Sequence, residues 1–317
     1  MKLNGIKVLV TEPGYFTREF FKIVRKTGEV TAKRMSRAEL LKNIKNFDAV
    51  VVRVDTKLDR KVIEAGRKLK CVVSTTTGLN HIDTDYLKKK DIPLFSLTGS
   101  HSVPTAEHAL ALIFALARRI PWANSSMHKG HWRRWEYLGI EITGKTLGVL
   151  GIGRIGKEVA KRAKAFGMKV VAFDPYVSSK EVLKRRAKKV SWNEFLSKSD
   201  FFSLHAPLTL ETKHMFGKKE FSKMKSSAIF VNTARGEIVE ERALLEALSK
   251  KKIKAAGVDV YPEEPLPRDH ELRRYAKSHD NLIITPHIAA STHEAVGRAS
   301  VFAGEALVGF FRKRRLF

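Results

Sequence analysis

The sequence predicts an α/β protein of two doubly wound parallel-sheet domains with a cleft between them, and three observations carry that expectation. Its 317 residues exceed the roughly 250 to 300 at which a single hydrophobic core stops growing. Short β-branched runs alternate with amphipathic helical segments along the chain. In the second half those runs are apolar at nearly every position, as strands covered by helices on both faces are.

The elements follow in order. In the first half, strand candidates fall at Val8 to Thr11, Ala49 to Val52, Val72 to Ser74 and Leu94 to Ser96, with helical segments such as Arg37 to Lys45 and Lys61 to Lys68 between them. Pro104 opens an Ala- and Leu-rich helical pattern over Thr105 to Arg118, long enough to carry the chain from one lobe to the other. A second strand series occupies Thr146 to Leu150, Lys169 to Phe173, Phe201 to Leu204, Ala228 to Asn232, Ala255 to Val260 and Leu282 to Ile284. The last helical pattern, about His293 to Phe311, comes after the second sheet is complete and is expected to return to the first lobe. The expected domains are therefore 1–100 with 290–317, and 101–289, with hinges near 100 and 290.

Composition narrows the class. With 43% hydrophobic and 29% charged residues, the chain has ample material for buried cores and no long disordered stretch. No apolar run approaches the ~20 residues of a membrane span, and the opening MKLNGIKVLV leads straight into a strand-like run, which predicts a cytoplasmic protein. The single cysteine, Cys71, lies in an apolar run and reads as an inert core thiol. A net charge of +27 could attract nucleic acid, anionic membranes or acidic metabolites. The cations are scattered in short clusters such as Lys184-Arg185-Arg186, Lys188-Lys189, Lys250-Lys251-Lys252 and Arg312 to Arg315, which read as solvated faces. No zinc-finger or basic-zipper pattern is present and aromatics are not interleaved with the basic clusters, so neither a nucleic acid partner nor a metal is expected.

One motif points to a cofactor. The strand candidate ending at Leu150 runs into Gly151-Ile152-Gly153-Arg154-Ile155-Gly156 and then a helical run, the context a dinucleotide fingerprint requires. Gly151 permits a tight turn, Gly153 lets backbone approach a pyrophosphate, and Gly156 allows close helix packing; the helix N-terminus favours negative charge. The next strand ends at Asp174, eighteen residues beyond Gly156, where a carboxylate can accept hydrogen bonds from ribose hydroxyls and would repel a 2′-phosphate. The expected cofactor is NAD, held by a Rossmann-type domain, with NADH outperforming NADPH.

Reducing a keto acid needs a cation for the carboxylate, a proton donor for the new hydroxyl, and a partner that keeps the donor charged. Arg235, in Asn232-Thr233-Ala234-Arg235-Gly236, directly follows a buried strand, and Glu264 and His287 follow later ones; all three are expected at the carboxyl edge, where open α/β sheets bind ligands. The blocks NTARG at 232–236, GVDVYPEEP at 257–265 and PHIAAST at 286–292 resemble the signature of the D-isomer-specific 2-hydroxyacid dehydrogenase family. Supporting blocks are TTTGLNHID at 75–83, TAEHALAL at 105–112, GKTLGVLGIGRIGKEVA at 144–160, FGMKVVAFDP at 166–175 and HAPLTLET at 205–212.

The resemblance implies that Arg235 orients the substrate carboxylate and carbonyl, that His287 is the acid and base, and that Glu264 hydrogen-bonds the imidazole and favours its protonated form. It implies a flavodoxin-like substrate domain at 1–100 with 290–317 and an NAD-binding domain at 101–289. Thr105, Arg154, Ile155, His205, Ala206, Pro207, Thr212, Thr233, Ala234, Asp259 and His287 would line the cofactor beside the glycines and Asp174. Thr77 and Gly78 would hold the substrate carboxylate through backbone amides; three threonines at 75–77 depart from the valine and glycine more usual there. Within the family the chain looks most like the 3-phosphoglycerate dehydrogenases, shortened by the absence of a regulatory domain. Arg53 would then meet the substrate phosphate, and the stretch containing Trp132, Arg133, Arg134 and Trp135 would pack across a homodimer. The alternatives are a glyoxylate or hydroxypyruvate reductase and, from another class, an NADH-sensing corepressor-like binding protein.

Overall fold

The computed structural model describes residues 5–76, 78–97, 99 and 101–313. The chain divides into two compact units, Met1–His101 with Ser291–Phe317, and Ser102–Ala290. The first unit begins β1 (Ile6–Val10), α1 (Arg18–Val24), β2 (Gly28–Ala32), α2 (Arg37–Asn43), β3 (Ala49–Val52), α3 (Arg60–Ala65), β4 (Cys71–Ser74), α4 (Thr84–Lys89) and β5 (Leu94–Ser96). The second holds α5 (Ser102–Ala117), α6 (Ile120–His128), β6 (Thr146–Leu150), α7 (Arg154–Ala165), β7 (Lys169–Phe173), α8 (Ser179–Lys184), β8 (Lys188–Lys189), α9 (Trp192–Lys198), β9 (Phe201–Leu204), α10 (Lys218–Lys223), β10 (Ile229–Asn232), α11 (Glu241–Ser249), β11 (Ala255–Val258), α12 (Glu271–Ser278) and β12 (Leu282–Ile284). Then α13 (His293–Lys313) rejoins the first unit.

In the first unit the strands are all parallel in the order β2-β1-β3-β4-β5. Side chains alternate between faces along each strand. Leu9, Val50, Val52 and Val72 meet Leu40, Ile44, Val62 and Leu87 on one face, while Val8, Val10, Val51 and Val73 meet Phe20, Val24, Ala303, Leu307 and Phe311 on the other. Both faces are therefore covered, which is why β3 and β4 are buried throughout and apolar but for Ser74. Helix starts carry side-chain caps: Thr17 on α1, the Ser36 and Glu39 capping box on α2, Asp59 on α3 and Asp83 on α4. The helical segment expected over Lys61 to Lys68 is shorter, because the chain turns at Gly66, whose carbonyl takes the Leu69 N–H.

The second unit is a seven-stranded, wholly parallel sheet in the order β12-β11-β10-β9-β6-β7-β8. Two strands lie outside the sequence expectations. β2 is half-buried with the mixed sequence GEVTA, and β8 is only two lysines; both are sheet edges without an apolar run. One face of the larger sheet packs aromatics edge to face, Phe195 on Phe202 and Phe216 on Phe230. The other is covered by α5 and α7. The α5 contact is close: a Cβ on Gly257 of β11 would lie 3.2 Å from Leu116 and 3.4 Å from Leu112. The strand order reverses between β9 and β6, so the loops after those strands diverge and leave room at the carboxyl edge.

Candidate active site

The glycine loop lies at that reversal. Gly151 has φ +79°, and a Cβ there would stand 2.9 Å from the Ala206 nitrogen in the loop after β9. A Cβ on Gly156 would be 2.1 Å from the Gly151 carbonyl oxygen, so only glycine lets α7 pack on the turn. Gly153 caps α7 with no side-chain hydrogen bond, and a Cβ there would meet no protein atom within 4 Å. Bare backbone with the N-terminus of a twelve-residue helix behind it is an anion cradle, so the loop fits a pyrophosphate. Arg154 is exposed at the first turn of α7, and Ile155 is half-buried against the sheet.

Asp174, at the end of β7, accepts the Ile152 N–H at 3.0 Å through one oxygen and the Tyr176 N–H at 3.0 Å through the other. Each oxygen keeps a lone pair for a ribose hydroxyl. Arg185 braces the same loop, donating to the Ile152 carbonyl at 2.8 Å, and the Tyr176 hydroxyl donates to Glu211. After β9, His205 meets Ser203 Oγ through Nε2 at 2.7 Å, and burial pushes its imidazole down to about 3, so it is neutral in any working buffer. Ala206 is buried and Pro207 exposed; Thr212 ties their loop by donating to the Pro207 carbonyl at 2.6 Å and accepting from Thr209 N–H at 2.8 Å. Thr105 in the first turn of α5, Thr233 and Ala234 are buried.

Three loops, after β10, β11 and β12, carry Arg235, Glu264 and His287. The Asn232 side chain folds the first, accepting from Ala234 N–H at 3.0 Å and donating to the Arg235 carbonyl at 2.9 Å. Gly236 lets this loop touch the next, since a Cβ would be 2.1 Å from the Tyr261 carbonyl carbon. Burial draws the Arg235 guanidinium below its usual range while Glu264 and Glu237 oppose the shift, and a guanidinium so placed stays charged. Glu264 accepts from the Tyr261 N–H at 3.0 Å through Oε1 and pairs with His287 Nδ1 at 2.7 Å through Oε2. A carboxylate only accepts, so Nδ1 carries the hydrogen and Nε2 is the nitrogen that can exchange a proton with a substrate.

His287 has φ +52°, a left-handed backbone that costs a residue with a Cβ of order 1–3 kcal/mol. Asp259 holds it there. This carboxylate, 0% exposed, accepts from Thr285 Oγ1 at 2.6 Å, Ile288 N–H at 2.9 Å and Ala289 N–H at 2.8 Å. Burial alone would raise its pKa, but hydrogen bonds from His108, Thr285, Ile288 and Ala289 outweigh that and hold it below the usual carboxylate range. Asp259, expected against the cofactor, thus turns its carboxylate inward to the segment carrying His287. Asn232, Tyr261 and His108 carry no local signal beyond membership of the quoted blocks, and Thr285 lies just outside them.

In the first unit, Arg53 follows β3 and is 8% exposed, with its guanidinium 4.7 Å from the Tyr15 ring centroid. Glu12, 3% exposed, accepts the Arg53 backbone N–H at 3.1 Å. His101 is buried too; burial, then the charges of Arg53 and Arg298, push its imidazole down to about 4. The Gly78 carbonyl accepts from Thr76 Oγ1 at 2.8 Å, and Thr77 lies outside the described residues. Among the described residues no group of three or more His, Cys, Asp or Glu could hold a metal ion, and no helix is long and apolar enough to cross a membrane.

Comparison with known proteins agrees with this geometry. A family model described as D-isomer specific 2-hydroxyacid dehydrogenase, NAD binding domain, matches residues 110–289. A D-3-phosphoglycerate dehydrogenase from Archaeoglobus fulgidus is 43% identical over 305 residues, covering 96% of this chain and 57% of that protein. A hydroxypyruvate reductase from Thermotoga maritima is 43% identical over 273 residues, covering 86% of this chain and 88% of that one. A crystal structure of D-lactate dehydrogenase from Aquifex aeolicus, complexed with NAD and lactic acid, aligns with a TM-score of 0.86 at 29% identity, covering 97% of this chain and 96% of the other. The chain spans 57% of the length of the first D-3-phosphoglycerate dehydrogenases it matches.

Proposed function

Because the chain belongs to the D-isomer specific 2-hydroxyacid dehydrogenase family, we propose that it interconverts a small D-2-hydroxy acid and its 2-keto acid with NAD as hydride carrier. The observation that carries this reading is the 2.7 Å pair of His287 Nδ1 with Glu264, whose loop meets the Arg235 loop at Gly236. NADH bound at the glycine loop would supply the hydride to C2 of the keto acid. Arg235 holds the carboxylate in its guanidinium fork. His287 gives the proton on Nε2 to the carbonyl oxygen, and Glu264 fixes the ring and balances its charge; in the reverse direction the imidazole takes the hydroxyl proton. Gly151, Gly153 and Gly156 cradle the pyrophosphate, and Asp174 receives the ribose hydroxyls.

For the substrate, our first reading is the 3-phosphoglycerate and phosphohydroxypyruvate pair, supported by the names of the relatives and by the buried cation Arg53. Hydroxypyruvate or glyoxylate is the second reading, favoured by the reductase that this chain matches over 88% of its length. The exposed Trp132, Trp135 and Leu138 support a two-fold dimer, and the reading places the enzyme in the cytoplasm. The test is NADH oxidation against phosphohydroxypyruvate, hydroxypyruvate, glyoxylate and pyruvate, with His287→Ala alongside. We expect turnover on at least one acid and a loss of about 10²–10⁴-fold in the variant, with NADH binding retained. Turnover unchanged in the variant would remove His287 from the mechanism, and NADH binding without turnover on any acid would favour an NADH-sensing protein.

A further inference from the structure

The imidazole of His108 on α5 meets the segment that carries His287. Its Nε2 lies 3.2 Å from Thr285 Oγ1 and 3.5 Å from Asp259 Oδ1. Proton bookkeeping settles which atom donates. The one hydrogen of the Thr285 hydroxyl goes to Asp259 Oδ1 at 2.6 Å, because a carboxylate can only accept. The contact of His108 Nε2 with the same hydroxyl is then a hydrogen bond only if Nε2 carries the hydrogen, which it shares between Thr285 and Asp259. Asp259 thereby has four donors around a fully enclosed carboxylate, two of them the N–H groups of Ile288 and Ala289, directly after His287. The Thr285 carbonyl also accepts, from the His287 N–H at 3.0 Å and from the Tyr261 hydroxyl at 2.9 Å.

We propose that His108 is a positioning residue for the reaction: through Asp259 and Thr285 it fixes the left-handed backbone of His287 and so the aim of the imidazole at the substrate carbonyl. Nothing in this role touches substrate or cofactor. The inference rests on the reading of His287 as the acid–base group. Its anchorage is rigid, since α5 packs against β11 through Leu112 and Leu116 at Gly257, and a side chain on that helix cannot drift with the loop it holds. Proton transfer depends steeply on aim; a misplacement of about 1 Å can cost on the order of 10²-fold in rate.

The experiment compares His108→Leu, which removes the donor, with His108→Gln, whose amide N–H can reach the same acceptors, and adds Thr285→Val, which removes the bridging hydroxyl. We expect His108→Leu and Thr285→Val to lower kcat about tenfold or more, with the NADH Kd measured by fluorescence within twofold of the parent, and His108→Gln to recover most of the loss. A His108→Leu protein with parental kcat overturns the proposal. So does a His108→Gln protein as slow as His108→Leu with intact NADH binding, because the donor is then not what matters. If His108→Leu fails to bind NADH because it does not fold, the Gln and Val variants decide the question: a parental kcat in Thr285→Val overturns it. His287→Ala run in parallel separates the two readings, since retained turnover there removes the premise, whereas its loss beside an unaffected Thr285→Val removes only the role of His108.

Discussion

At the carboxyl end of β11 and β12 both Asp259 oxygens are engaged, and the groups that engage them carry His287. At the carboxyl end of β1 and β3, in the other unit, Glu12 Oε2 and Arg53 Nε are enclosed without a hydrogen bond from any described residue. An enclosed polar atom left unpaired costs about 1–3 kcal/mol, so the two edges have been built to different ends. The closed network holds one side chain in one geometry, as the proposed proton transfer requires. The open one leaves the Nε donor of a buried cation unspent, which suits the proposed phosphate contact.

The sharpest way to break this contrast is Arg235→Lys. A lysine keeps the charge and loses the planar fork, so we expect kcat/KM to fall about 10²-fold; a fall under threefold would show that charge alone suffices at the catalytic edge. Arg53→Ala probes the other edge. If Arg53 binds phosphate, kcat/KM for phosphohydroxypyruvate should drop about 10–100-fold, the worth of a charge-assisted hydrogen bond, while hydroxypyruvate changes by less than threefold. Equal losses on both acids would make Arg53 a structural group.

The smallest effect is on stability. His101 and His205 have pKa values lowered to about 4 and about 3 by burial, against about 6.5 in the unfolded chain. Above pH 6.5 both are neutral in either state; below it the unfolded chain takes up protons first, so stability is lost as pH falls from 6.5 toward 4. Tm should drop by a few degrees between pH 7 and pH 5, and His205→Gln should make that drop shallower. Parallel curves for the two proteins would mean that His205 is not held neutral in the fold.

What the sequence discloses follows the range of the signal. The glycine loop and the buried strands are local spacings, so Gly151, Gly153, Gly156 and runs such as Phe201 to Leu204 are legible directly. β2 and β8 are not, because an edge strand is covered too little to need apolar residues and Lys188-Lys189 carries no strand pattern. Arg235, Glu264 and His287 can be named from their positions after successive strands, but their meeting depends on β10, β11 and β12 being neighbours. The support of His287 is the least legible part. Thr285 lies 26 residues from Asp259 and 177 from His108, and no spacing rule links residues so far apart.

The return of α13 to the first unit has a consequence for biosynthesis. Thr17 N–H donates to Ser300 Oγ across 283 residues of chain, and Gly304 passes so near Ile23 that a Cβ would stand 2.7 Å from it. At about 5–20 residues per second, a ribosome takes roughly 15–60 s to make the residues between those partners. Through that interval Phe20 and Val24 wait without Ala303, Leu307 and Phe311, and by its end every residue of Ser102–Ala290 has been made. Of the two units, the one begun first is the one completed last, and until α13 arrives one face of its sheet lacks its cover.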